Sequence, residues 1–290
     1  MLLKELITRS SETVSKAYPE REAREMVFIL LEYLIGTKKH THIIEPSYEV
    51  ADDKAVQVEY ACRRLASGEP LQYVTGTACF YGRDFHVTPS VLIPRPETEI
   101  LCRLALDSGA DPEAKILDLC TGSGCIAWTM ALECPGAEVT AVDISDAALE
   151  VAASQDFSEE EESTGAVAPL FCKADVLADV PSDEAFSRGF DMILSNPPYV
   201  MNKEKSLMRA NVLDHEPHLA LFVSDDDPLI FYRATARWAS ALLSPDGVGL
   251  VEINEALGPE TARVYLDAGF TSAEVLQDLS GRDRFVKFRR

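Results

Sequence analysis

The first seventy residues carry apolar positions at helical spacing. Met26, Ile29, Leu30, Tyr33 and Leu34 recur three and four residues apart, and Gly36 stands where such a helix would end. A second helix is expected over 54–66, where Val56, Tyr60 and Leu65 lie among charges and Gly68 and Pro70 follow as breakers. Between 74 and 88 the pattern becomes aromatic and β-branched, with Gly76 and Gly82 as punctuation, which predicts a short hairpin.

From residue 115 the pattern alternates between short apolar runs and helical stretches. KILDLC at 115–120 and EVTAVD at 138–143 read as strands, each followed by a helix, from about Cys125 and Asp146. Further strands are expected at 167–171, 190–195, 247–253, 271–276 and 284–288, with helices near 228–243 and 258–268. This βαβ alternation implies a doubly wound, mostly parallel α/β sheet of seven strands. The expected domains are a helical unit at 1–73, a linking β-hairpin at 74–90 and an α/β domain at 91–290. The polar run SEEEES at 158–163 reads as a solvated loop without chemistry, and no internal repeat is found.

A chain of 290 residues, 47% hydrophobic and 26% charged, has room for one large core and a smaller one. No apolar run approaches the roughly 18 residues of a membrane span, and Lys4, Glu5 and Arg9 crowd the start, so a cytoplasmic protein is expected. Seven cysteines stand apart, with no CxxC pair and no Cys/His ligand spacing, which fits reduced thiols and no metal. The net charge of -21 disfavours nucleic acid as a partner, because tracking a phosphate backbone takes a basic footprint. The surplus is uneven: residues 1–75 hold 10 Lys and Arg against 12 Asp and Glu, and residues 76–290 hold 17 against 36. Solubility explains it, and so would attraction of a basic macromolecule.

The segment LDLCTGSGCIA passes from strand to helix through Cys120, Thr121, Gly122, Ser123 and Gly124. Glycines there allow a sharp turn and let a ligand approach the main chain, although many such turns hold glycine for packing alone. Asp143 ends the next strand, where a carboxylate can accept from both hydroxyls of a ribose. It could instead cap a helix, but Asp146 offers itself for that task. The loop lacks the GK[ST] of a phosphate loop and has Ala127 where a dinucleotide fingerprint needs its third glycine. An adenosine with a short zwitterionic tail is the better tenant.

SNPPY at 195–199 follows the apolar strand FDMIL, at the place where an open α/β sheet binds ligands. Pro197 and Pro198 bring no N–H and cannot continue a strand ladder, so the chain stops in a rigid turn with unspent carbonyls. The side-chain oxygen of Asn196 and the carbonyl of Pro197 can together accept the two hydrogens of an NH2 group, while Tyr199 offers a flat face. An amide nitrogen is a poor nucleophile because its lone pair is delocalised. Fixing both N–H bonds aims that lone pair at an electrophile.

LDLCTGSG, AVDIS, SNPPYV and above all LIPRPETE at 92–99 together resemble the glutamine N5-methyltransferases of peptide chain release factors. The resemblance runs from about Glu69 to the C-terminus. It implies a class I methyltransferase fold, S-adenosyl-L-methionine as donor, and the glutamine of the GGQ loop of class I peptide chain release factors as acceptor. It also implies that Cys120 to Gly124 contact the methionine part, Asp143 the ribose, Asp175 and Val176 the adenine, and Asn196, Pro197, Pro198 and Tyr199 the glutamine amide. Cys120 stands where glycine is common in that family, and Val176 where an aromatic is often found.

Pro94, Arg95, Pro96 and Glu97 read as the start of a helix, with a supporting role near the cofactor as the alternative. His215, Glu216 and His218 read as loop rather than metal site, since Pro217 interrupts them and no third ligand is suitably spaced. The competing functions are a ribosomal protein glutamine methyltransferase, a nucleic-acid amino-group methyltransferase, and a non-catalytic binding module on the same sheet.

Overall fold

The helical spacing of the N-terminal residues becomes α1 (Leu3–Val14), α2 (Glu20–Ile35), α3 (Thr41–Ile44), α4 (Asp52–Ala66) and α5 (Leu71–Thr75). In α1 the buried residues fall at Leu3, Leu6, Ile7, Ser10 and Val14, one face of a helix. Gly36 ends α2 in the left-handed conformation, as its position suggested. The buried stripes, however, are rotated from the expected ones. In α2 the core face is Ala23, Val27, Phe28, Leu30 and Leu31, while Ile29 and Tyr33 are about half exposed, at 50% and 52%. In α4 the core face is Ala55, Val58, Ala61, Cys62 and Leu65, and Val56 and Tyr60 face solvent. Ranking residues by size selects the wrong face, because helices that pack closely favour alanines at the contact.

The computed structural model describes residues 1–109, 113–186 and 189–290, and the chain divides into two units. The helical unit is Met1–Thr77 together with Arg209–His215, and the second is Ala78–Met208 with Glu216–Arg290. After α5 the chain forms the expected hairpin, β1 (Thr77–Phe80) and β2 (Arg83–His86), and continues with α6 (Pro96–Asp107), β3 (Lys115–Leu119), α7 (Cys125–Glu133), β4 (Glu138–Asp143) and α8 (Asp146–Ala153). There follow α9 (Ser158–Thr164), β5 (Leu170–Lys173), β6 (Phe190–Ser195), β7 (Val200–Met201), α10 (Ala210–His215), α11 (His218–Leu221) and β8 (Phe222–Val223). The chain ends with α12 (Ile230–Leu242), β9 (Leu243–Glu252), α13 (Gly258–Asp267), β10 (Ser272–Gln277) and β11 (Asp283–Arg289).

Seven strands form one sheet in the order β10-β11-β9-β6-β3-β4-β5, with β11 antiparallel to both neighbours and the β9 to β5 pairs parallel. This is the doubly wound sheet expected from the alternation. From β3 the order runs outward to β4 and β5 on one side and to β6 and β9 on the other. A crevice must therefore open at the carboxyl ends of β3 and β6. Ser195 ties those two ends together, donating to the Leu119 carbonyl at 2.7 Å.

Helix α7 is buried at every position from Cys125 to Leu132, the signature of a central helix. Close packing also explains GVGLVEI in β9: a Cβ on Gly249 would lie 1.9 Å from Phe288, whose ring stacks on Tyr265 with centroids 4.0 Å apart.

The SEEEES segment is not a loop. It forms α9, with Glu159, Glu160 and Glu161 in the first turn, where carboxylates suit the helix dipole, and left-handed Gly165 at its end. Phe157, just before it, is buried against Phe85 and Trp128, and Glu160 accepts from Arg83 at 2.8 Å. Tertiary anchoring at one end thus overrides a polar composition. All seven cysteines are free, and among the described residues no helix is long and apolar enough to cross a membrane.

Candidate active site

The turn after β3 is tight because three residues adopt left-handed backbone: Cys120 at φ 63°, Gly122 at 55° and Gly124 at 80°. Only glycine enters that region freely, so Cys120 is the strained member. Thr121 pins the turn from inside, its hydroxyl donating to the buried Asp118 carboxylate at 2.6 Å and its N–H to the Val142 carbonyl at 3.0 Å. Burial pushes the Asp118 carboxyl up to about 7. Gly124 begins α7, and a Cβ there would come within 3.0 Å of Ala152.

Asp143 ends β4 as expected. Its two oxygens accept the Gly122 N–H at 2.9 Å and the Ser145 N–H at 3.0 Å. Burial raises its pKa, and the two N–H donors oppose that. Each oxygen keeps a second lone pair, so both remain able to receive a hydroxyl. The cap of α8 is Ser145, not Asp146: the serine has extended backbone and its hydroxyl accepts from Ala148 N at 3.2 Å, whereas Asp146 is already helical.

The crevice holds a cavity whose empty space, counted out to its mouth, is about 1160 Å3. Of the residues singled out in the sequence, Cys120, Thr121, Gly122, Ser123, Asp143, Asp175, Val176, Asn196 and Pro198 line it, while Gly124, Pro197 and Tyr199 do not. Apolar walls come from Val176, Ile144, Leu177 and Phe231. Val176 is itself held in place, its carbonyl accepting from the Trp238 indole at 3.1 Å and from Arg237.

Across the cavity, Asn196 follows the last residue of β6 in a turn whose prolines are both buried. Its Nδ2 donates to Thr98 Oγ1 at 3.0 Å, and that hydroxyl donates to Glu252 Oε2 at 2.7 Å. The other carboxylate oxygen, Oε1, accepts from the Tyr199 hydroxyl at 2.8 Å. Asn254, just past β9, donates to the Tyr199 carbonyl at 3.2 Å and to Glu204 at 2.9 Å. Burial raises the pKa of Glu252, against donation from Thr98 and Tyr199 and the nearby charge of Arg284. The Tyr199 phenol is also pushed well up, by burial first and the Glu252 charge second.

The residues 94–97 do begin a helix: Pro96 opens α6 and Arg95 precedes it. The same stretch reaches the cavity through Pro94, Arg95 and Thr98. Arg95 pairs with Glu216 at 2.6 Å, and Glu216 Oε2 accepts the Ile93 N–H at 3.2 Å. Glu216 thus lies in a short non-helical step as expected, but it is buried and tied to the 93–95 stretch, and Pro217 beside it lines the cavity. Among the described residues no group of three His, Cys, Asp or Glu is arranged to hold a metal.

Thr98 and Glu252 were not singled out from the sequence, and Arg95 and Glu216 were named there without their pairing. One signal existed for Glu252, a charge inside the apolar strand GVGLVEI. Thr98 gave none beyond its place in the helix start.

Two family models match the chain, a methyltransferase small domain over residues 98–220 and a PrmC N-terminal domain over 5–76. A release factor glutamine methyltransferase of Flavobacterium psychrophilum is 36% identical over 291 residues, covering 99% of each chain. Its namesake in Bacteroides thetaiotaomicron is 37% identical, covering 96% of this chain and 97% of its own. That of Cereibacter sphaeroides is 41% identical over 86% of this chain and 83% of its own. Among solved structures, a methyltransferase from Pyrococcus furiosus overlays 82% of this chain and 98% of its own at a TM-score of 0.49 and 15% identity.

Proposed function

The chain belongs to the release factor glutamine methyltransferase family, and from that premise we propose that it transfers a methyl group from S-adenosylmethionine to the side-chain amide nitrogen of the GGQ glutamine in class I peptide chain release factors. The observation that carries the reading is a juxtaposition: Asn196 lines the same cavity as the left-handed turn at 120–124 and Asp143.

The residues present fit the donor. Asp143 has lone pairs to spare for a ribose diol, Val176, Ile144 and Leu177 supply an apolar slot for a flat base, and the turn after β3 presents main chain in place of a phosphate cradle. When bound, the donor supplies an electrophilic methyl group on a sulfonium sulfur. The chain's own work is on the acceptor. Asn196 Oδ1 and the Pro197 carbonyl take the two N–H bonds of the glutamine amide, which fixes its plane and turns its lone pair toward the methyl carbon. As the new N–C bond forms and the S–C bond breaks, positive charge grows on nitrogen, and both acceptors bind it more strongly than they bound the neutral amide. The N-methylated nitrogen then releases one proton, which water takes because a protonated amide is strongly acidic. No carboxylate is needed at the reacting nitrogen.

Labelled S-adenosylmethionine offered with a purified class I release factor, a glutamine-bearing ribosomal protein and a nucleic acid tests the assignment. Label on the release factor alone, mapped by mass spectrometry to the GGQ peptide, is expected. Label on the ribosomal protein or the nucleic acid, with the release factor unmodified, would move the protein to the corresponding alternative.

A further inference from the structure

The side-chain amide of asparagine has nearly the same shape with its oxygen and nitrogen exchanged, so the turn that places Asn196 does not decide which atom meets the acceptor. The choice matters. Oδ1 toward an incoming NH2 group is a hydrogen bond, and Nδ2 in its place sets donor against donor.

We propose that Glu252 and Thr98 are positioning residues that set this orientation, presenting Asn196 Oδ1 to the acceptor amide and anchoring Tyr199 in the same network. The inference rests on the reading of Asn196 as the group that receives the acceptor's N–H.

The argument starts from the far end. Glu252 is 1% exposed and receives hydroxyl donors on both oxygens, Thr98 on Oε2 at 2.7 Å and Tyr199 on Oε1 at 2.8 Å. Burial raises its pKa while the two hydroxyl donors and the nearby charge of Arg284 oppose that, and a carboxylate that takes a hydroxyl on each oxygen acts only as an acceptor. A threonine hydroxyl has one proton. Once the proton is committed to Glu252, Thr98 Oγ1 meets its next neighbour as an acceptor, and the neighbour must bring an N–H. Asn196 lies there at 3.0 Å, so it turns Nδ2 to Thr98 and Oδ1 away. One buried charge thereby sets the polarity of a chain of hydrogen bonds that begins on β9, crosses the first turn of α6 and ends beside the cavity. The same carboxylate holds Tyr199, so the first and last residues of Asn196–Tyr199 answer to it together. Glu252 is screened from the cavity by Thr98 and acts only through it.

Single-turnover methylation of a release factor, with cofactor affinity by calorimetry and a melting curve for each variant, tests this. Thr98→Val, nearly isosteric but without the hydroxyl, should slow transfer roughly 10- to 100-fold with cofactor affinity changed less than threefold. Thr98→Ser should recover most of that loss, and adding Thr98→Val to Asn196→Ala should slow it no further. Asn196→Asp gives a second test that leaves the contacts of Glu252 in place. It keeps two acceptor oxygens but faces Thr98 with no N–H, and it should be about as slow as Asn196→Ala. A Thr98→Val rate within threefold of the parent, a Thr98→Ser rate as low as that of Thr98→Val, or near-parental transfer by Asn196→Asp would overturn the inference. If Asn196→Ala itself keeps its rate, the reading of Asn196 fails and the inference goes with it. A collapsed Asn196→Ala beside an unaffected Thr98→Val removes the inference alone.

Discussion

The two walls of the cavity are built in different ways. The wall at the ends of β3 and β4 is made of main chain: a left-handed turn at Cys120, Gly122 and Gly124, and a carboxylate at Asp143 whose donors are backbone N–H groups 2 and 21 residues away. The wall at the ends of β6 and β9 is made of side chains, with Asn196 joined to Thr98 across 98 positions and Thr98 to Glu252 across 154. Backbone shape suits a ligand held in one conformation. A buried side-chain network suits a group that must present one polarity and no other. The contrast predicts that damage to the first wall appears in cofactor binding, and damage to the second in the rate of transfer.

The largest effect on the first wall should come from Asp143→Ala. Ribose hydrogen bonds to a charged acceptor contribute about 1.5–3 kcal/mol each, so cofactor affinity should fall roughly 10- to 100-fold or more. Titration calorimetry on the folded variant checks it, and unchanged affinity would remove Asp143 from that wall.

Asp118, beneath the same turn, gives a pH-dependent effect of intermediate size. Its folded pKa of about 7 lies above the ordinary 3.8, so the folded chain keeps a proton that the unfolded chain releases between about pH 4 and 7. Stability is therefore lost as pH rises through that window, and the penalty is complete above it. Asp118→Asn, which retains an acceptor for Thr121, should be the more stable protein at pH 8 by on the order of 2–4 kcal/mol, with an advantage that shrinks toward pH 5. Equal melting differences at the two pH values would contradict the burial of an ionised carboxylate.

The smallest effect belongs to Cys120→Gly. Left-handed backbone costs a non-glycine residue roughly 1–2 kcal/mol, and the lost cysteine packing offsets part of the gain. Stability should change by less than about 1 kcal/mol, and cofactor affinity should hold, because the contact proposed at residue 120 is made by the main chain. A tenfold loss of affinity would show that the thiol itself is used.

The same contrast explains what could be read from the sequence. The sheet, its seven strands and the turn after β3 were legible because each depends on neighbours in the chain: strand period, glycine at a positive φ, a carboxylate at a strand end. The segment at 195–199 was legible because paired prolines stop a strand wherever they occur. The buried faces of α2 and α4 were not, since alanine or isoleucine at an interface is decided by how closely other helices approach. Nor was α9, which is anchored by Phe157 packed on Phe85 and by Arg83 donating to Glu160, partners distant in the sequence. The pairing of Thr98 with Glu252 lay hidden for the most physical reason. A hydrogen bond between residues 154 apart leaves no local pattern, and only the fold makes them neighbours.

The division of labour between the walls is tested most directly by measuring cofactor affinity and single-turnover transfer side by side for Asn196→Ala. Calorimetry should give a dissociation constant within about threefold of the parent, while transfer to the release factor glutamine should fall by about 10² to 10³. Near-parental transfer by this variant, or a loss of rate matched by an equal loss of cofactor binding, would contradict the account.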